Sequence, residues 1–250
     1  MKAKYFLLGF LLLTMFAFSG MVRAADYEIG FEEDDEFIWD CTICNEEEME
    51  DIFTKDWDAE GVSEDIEKGK KMKIVITETN DDLKGYSSVT GKNETALGVK
   101  FDWWTWTDNG DDWGDEDYED VGYYLLADPD HYPEIYFVTL IPFPWFPIPV
   151  EEYLDELDLY KWYDVDGNKL TCEIDEGELE EGYPEEDFTM EATYNDKGIM
   201  SKMIIFNDDD EVILKAVISG IIPGYELPIL LGVAAISTIG LIYLYKKKRI

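Results

Sequence analysis

Positive charge is what this sequence has least of. Its 250 residues carry 20 Lys and Arg against 58 Asp and Glu, a net charge of −38. Arginine stands only at positions 23 and 249, and histidine only at 131. Without arginine over residues 26–220, the usual bidentate grip on phosphate or carboxylate ligands is missing there. A field of one negative sign repels nucleic acid and anionic headgroups, so no nucleic-acid partner is expected. A Ser-His-Asp or Cys-His arrangement would have to use His131, which has no nearby Ser or Cys in sequence. It sits in a proline-bounded turn and reads as a surface residue. No glycine-rich phosphate loop or dinucleotide fingerprint is present. Three cysteines and one remote histidine are a thin set for zinc, which asks for four ligands.

What the chain does have is an apolar run at each end. Lys2 and Lys4 precede an apolar run over 5–18, and Val22 and Ala24 occupy the small-residue cleavage positions. This predicts that residues 1–24 are a signal peptide cut after Ala24. At the other end, about 19 apolar residues over 227–245 would span roughly 28 Å as a helix, close to a hydrocarbon core. Lys246, Lys247, Lys248 and Arg249 follow, so the C-terminus is expected inside. The expected organisation is a leader (1–24), an acidic β-rich extracytoplasmic domain (25–220), and a transmembrane anchor with a basic cytoplasmic tail (221–250). The bilayer would then be a partner through residues 227–245, and the protein a single-pass one of the cell membrane.

Residues 26–220 hold 57 acids, 13 lysines and no arginine, a net charge of −44. That balance suits a soluble, self-repelling surface. The stretch is not a disordered tail, because Trp, Tyr, Ile and Val recur through it in numbers that build a core. Its length is enough for one domain with a sizeable core, or for two small ones.

Periodicity supplies the fold class. Residues 37–44 alternate, with Phe37, Trp39, Cys41 and Ile43 on one side. Met49, Ile52, Phe53 and Trp57 follow Asn45 at helical spacing, a short helix with an Asn cap. Strands are predicted over 71–79, 86–89, 96–107, 121–127 and 135–141, with a turn at 80–85. The proline-rich stretch 142–149 cannot join a ladder from mid-sheet and reads as an extended crossover. A short helix over 150–159 and a hairpin turning at Asp166 and Gly167 come next. Three strands over 188–194, 199–206 and 211–219 close the domain, joined by turns at 195–198 and 207–210. The total is a mainly β (α+β) fold, a curved antiparallel sheet or half-barrel with one or two short helices, plus the C-terminal transmembrane helix.

Pro223, Gly224 and Tyr225 ahead of the apolar run and basic cluster, together with the leader and acidic β-rich domain, resemble archaeal surface proteins with C-terminal sorting tails, of the kind found in Asgard archaea. The better-known tails carry Pro-Gly-Phe, and Tyr225 departs from that. The resemblance implies a cell-surface protein. The turn at 194–200 and its flanking strands resemble the LolA-like lipoprotein-carrier half-barrel, which implies a curved sheet with an apolar concavity and a lipid ligand.

Several residues are candidates for chemistry. Cys41 and Cys44 form a CxxC, but strand alternation places them on opposite faces. A redox pair would want the second cysteine at a helix start, and the Asn45 helix begins just after it. Outside a membrane, Cys172 pairing with Cys41 or Cys44 as a disulfide is the structural alternative. Asp108, Asp111, Asp112, Asp115 and Asp117 offer hard oxygen ligands for calcium on a flexible loop, out of EF-hand register. Calcium is the one cofactor this sequence suggests. Asn93 begins a glycosylation sequon. Trp103, Trp104, Trp106, Trp145 and Phe146 either line an apolar or glycan groove or fill the core; Phe101 and Trp103 should share one strand face, Trp104 and Trp106 the other. The first reading is a non-enzymatic, membrane-anchored surface protein serving envelope structure or binding an apolar or glycan ligand. The alternatives are an extracytoplasmic thiol-redox or metal-dependent protein using Cys41 and Cys44, and a calcium-dependent adhesion module.

Overall fold

The computed structural model describes residues 27–53, 57, 63–87, 90–108, 113–132, 143–178 and 184–222. The leader, the strand expected over 135–141, Asp111, Asp112, Pro223, Gly224, Tyr225 and the apolar run at 227–245 lie outside these residues. Among the described residues, no helix is long and apolar enough to cross a membrane.

Nine strands form one antiparallel sheet: β1 (Glu36–Cys44), β2 (Lys71–Ser87), β3 (Lys92–Thr107), β4 (Tyr118–Leu126), β5 (Tyr163–Asp166), β6 (Lys169–Ile174), β7 (Phe188–Tyr194), β8 (Met200–Phe206) and β9 (Val212–Ile222). Their order is β4-β3-β2-β1-β9-β8-β7-β6-β5. Each half of the chain is a meander of neighbouring strands, and the halves join where β1 pairs β9. Among the described residues the sheet is not closed, and β4 and β5 are its edges.

Two short helices accompany it, α1 (Glu46–Phe53) and α2 (Val150–Asp155). The Asn45 carbonyl accepts the Met49 N–H at 3.0 Å, so α1 starts where the cap was expected. Glu46, Glu47 and Glu48 in its first turn suit the positive end of the helix dipole. Met49, Ile52 and Phe53 are buried, and Phe53 meets Phe188 of β7 edge-on at 4.7 Å. On α2, Tyr153 is buried and its hydroxyl donates to the Leu126 carbonyl at 2.8 Å, tying the helix to β4.

One sheet face is apolar and covered, as alternation requires. Phe37, Trp39, Leu97, Val99, Met190, Tyr194 and Leu214 all lie there, buried. The proline-rich segment is part of what covers the core. Between Pro144, Pro147 and Pro149, which lack N–H groups, the N–H groups of Phe146 and Ile148 donate to Gly198 and Glu28 carbonyls at 2.8 and 2.9 Å. Met200 N–H donates back to the Pro144 carbonyl at 2.9 Å. Trp145 and Phe146 are thereby seated in the core, where Phe146 meets Tyr194 at 4.9 Å. The space left against Phe37, Trp39, Ile74, Phe101 and Trp145 is about 10 Å³, room for one water.

Three departures from simple alternation matter. The turn expected at 80–85 is absent, and β2 runs on to Ser87. A bulge between Asn80 and Leu83 absorbs the polar run without breaking the ladder to β3, and Asp82 N–H bonds the Asn80 side chain at 3.0 Å. In β3, Trp104 pairs with Lys73 but Thr107 with Lys71, so one residue is extra. That reverses the parity, and Trp103 and Trp106 are both buried rather than on opposite faces. In β1 the same happens at Thr42: Cys41 pairs with Ala216 and Ile43 with Lys215.

Candidate functional site

A groove of about 310 Å³ lies where the outer half of the β2–β3 hairpin meets the end of β4. Its lining includes Leu83, Tyr86, Glu94, Ala96, Tyr124, Leu126 and Tyr132. Tyr86 and Tyr124 are 71% and 51% exposed, against the general burial of aromatics in this domain.

The seat for Tyr124 is made of glycine. Gly98 is its partner across the β3–β4 ladder, and a β-carbon there would lie 3.1 Å from Tyr124 Cδ1. A β-carbon at Gly122 would lie 2.8 Å from the Tyr124 hydroxyl. Both distances are shorter than ordinary contact, so a side chain at either position would push the ring from where it lies.

The 3-10 turn Pro129–His131 leads into Tyr132, which lines the groove. Leu126 N–H donates to the Tyr132 hydroxyl at 2.8 Å. His131 Nδ1 bonds Glu94 Oε2 at 2.9 Å, and Thr90 donates to Glu94 Oε1 at 3.0 Å. The hydrogen bond from His131 holds the Glu94 carboxyl below its ordinary pKa. His131 is thus the exposed turn residue the sequence predicts, put to use orienting a carboxylate. The groove combines two open aromatic rings, short aliphatic walls and one fixed acceptor.

The tryptophans expected to frame a groove sit elsewhere. Trp103, Trp106, Trp145 and Phe146 are core side chains. Trp104 is half-buried and covers Lys73, whose Nζ lies 3.6 Å from its ring centroid and 5.0 Å from that of Trp113. Lys73 is 8% exposed, the one buried lysine among the described residues. Burial lowers its pKa, and Glu36 and Glu116 pull the other way. With its folded value below the unfolded one near 10.5, the unfolded chain holds more protons in the interval between, so this group makes stability rise with pH there. Urea midpoints of the wild type and Lys73→Met, compared at pH 7 and pH 10, should diverge in favour of the wild type at the higher pH. A constant difference would show that Lys73 titrates like an exposed lysine.

In the acidic loop, Asp117 Oδ2 accepts the Thr105 N–H at 2.8 Å and the Thr105 hydroxyl at 2.9 Å, which fastens the loop to β3. Among the described residues no group of three or more His, Cys, Asp or Glu is placed to hold a metal ion, and Asp108 and Asp115 belong to none. Asn93 is exposed at the tip of the β2–β3 hairpin, opposite Tyr86.

The cysteines fall otherwise than alternation predicts. Cys172 is buried in β6, four strands from β1, roughly 19 Å along the sheet at the usual strand spacing. Its titrating neighbour is Tyr163, and burial pushes its thiol up to about 11. It is not brought to Cys41 or Cys44. Those two come to one face instead, because Cys44 pairs with Leu214 and Cys41 with Ala216, two residues apart on β9.

Comparison of the chain with protein-family models, curated proteins and solved structures finds no match.

Proposed function

We propose that this protein is a non-enzymatic surface protein, held at a bilayer by residues 227–245 with its acidic domain outside, and that the domain binds a small neutral glycan at the Tyr86–Tyr124 groove. The observation that carries the reading is the exposed Tyr124 ring, laid on Gly98 and Gly122 beside an exposed Tyr86. Aromatic faces pack against the C–H faces of sugar rings, and the phenol tips stay wet. Glu94 keeps lone pairs on both oxygens for sugar hydroxyls. A groove of 310 Å³ is at the small end of ligand sites, enough for one or two sugar rings. A net charge of −44 over residues 26–220 disfavours anionic sugars. The space against Trp39 and Trp145 on the core side of the sheet is far smaller, about 10 Å³.

Titration with neutral oligosaccharides, read by chemical shifts of the tyrosine rings, tests this. Tyr86→Ala and Tyr124→Ala should each weaken binding about ten-fold, the value of one lost aromatic contact. No shift with any neutral oligosaccharide at millimolar concentration would end the proposal.

A further inference from the structure

Cys41 and Cys44 are three residues apart in a strand, and plain pleating would point them to opposite faces. The bulge at Thr42 adds one residue to β1 without adding one to β9. Cys41 and Cys44 therefore stand opposite Ala216 and Leu214, both of which are buried on the same face. The two thiols thus occupy neighbouring positions on one face of the sheet. Cys41 is 1% exposed and its thiol also donates to the Ile43 carbonyl at 3.3 Å. Cys44 is only half-buried, reaches the Ile66 carbonyl at 3.8 Å, and immediately precedes the cap of α1.

We propose that Cys41 and Cys44 form a reversible intrachain disulfide that clips the β1 bulge to the start of α1. The oxidant is a low-molecular-weight disulfide. The half-exposed Cys44 thiolate attacks one of its sulfurs, giving a mixed disulfide and releasing the first small thiol. The Cys41 thiolate then attacks the Cys44 sulfur and releases the second. Two protein thiols become one S–S bond, and the small disulfide is reduced to two thiols, so two electrons and two protons leave the pair. The neighbouring Cys44 thiol and burial both raise the Cys41 thiol's pKa, which makes the second step the slow one. The pair is therefore a slow clip and not a dithiol catalyst.

The test uses the full chain in detergent, equilibrated in glutathione buffers from fully reduced to fully oxidised. Thiols are alkylated after acid quench and denaturation, and the peptides weighed. The expected result is a single transition from three alkylated cysteines to one. The remaining alkylated residue is Cys172, and the peptide holding Cys41 and Cys44 is lighter by two hydrogens. Dithiothreitol should return all three. Three alkylated cysteines at every ratio, or a cross-linked peptide containing Cys172, would overturn the proposal.

Discussion

Gly198→Ala is expected to cost at least about 4 kcal/mol, a large share of the 5–15 kcal/mol typical of a domain, or to prevent folding outright. Gly198 has φ +82, a conformation alanine enters at a cost of roughly 1–2 kcal/mol. Steric overlap costs more. A β-carbon there would lie 2.0 Å from the Phe146 carbonyl oxygen, far inside any tolerable distance, and that atom is backbone. The two segments cannot simply part, since Phe146 N–H donates to the Gly198 carbonyl at 2.8 Å and Met200 N–H to the Pro144 carbonyl at 2.9 Å. The turn is itself fastened, with Asn195 Oδ1 accepting the Lys197 and Ile199 N–H groups at 3.0 Å. Gly167→Ala is the control. Gly167 has φ +61 at the β5–β6 turn, but a β-carbon there meets nothing closer than Glu151 Cδ at 4.0 Å. It should suffer only the backbone strain of a left-handed alanine. Urea unfolding of both variants reads the difference. Equal losses would mean that residues 144–148 are not docked on that turn.

Trp39→Ala should cost about 3–5 kcal/mol, the range for removing a large buried aromatic. Trp39 is 1% exposed in the central strand β1, and it lines the small space shared with Phe37, Ile74, Ile76, Phe101 and Trp145. Deletion would enlarge that space where the sheet and the proline-rich segment hold each other, and neither can collapse far. The indole also donates to the Met200 carbonyl at 2.7 Å. Trp39→Phe keeps most of the volume and drops the donor, leaving a buried carbonyl at a cost of about 1–3 kcal/mol. Trp104→Ala, at the half-buried edge over Lys73, should cost less than either core truncation. Denaturant midpoints rank the three. A Trp39→Ala loss no larger than that of Trp104→Ala would show that the covered face is not the core.

Several parts of this fold are legible in the residues alone. The alternation at 188–194 and the turn residues at 195–198 and 207–210 each name their strands, because a strand with one buried face must alternate. The Asn45 cap and the spacing of Met49, Ile52 and Phe53 name α1 for the equivalent reason at helical period. The candidate groove is not legible. Tyr86 and Tyr124 are exposed where Tyr153 and Tyr194 are buried, and the ring of Tyr124 lies against Gly98 and Gly122. Gly98 and Gly122 were the available signal: two strand-interior glycines mark a close approach.

The sequence alone determined the acidic, arginine-free character of residues 26–220, the antiparallel β class and the short helices, since charge and periodicity are local properties. Tertiary structure alone decided which residues share a face across a bulge. An extra residue at Thr42 or beside Trp104 looks like any other residue until the neighbouring strand has no partner for it. That one mismatch brings Cys41 and Cys44 to one face and buries both Trp103 and Trp106. Strand order, likewise a tertiary outcome, leaves Cys172 four strands away.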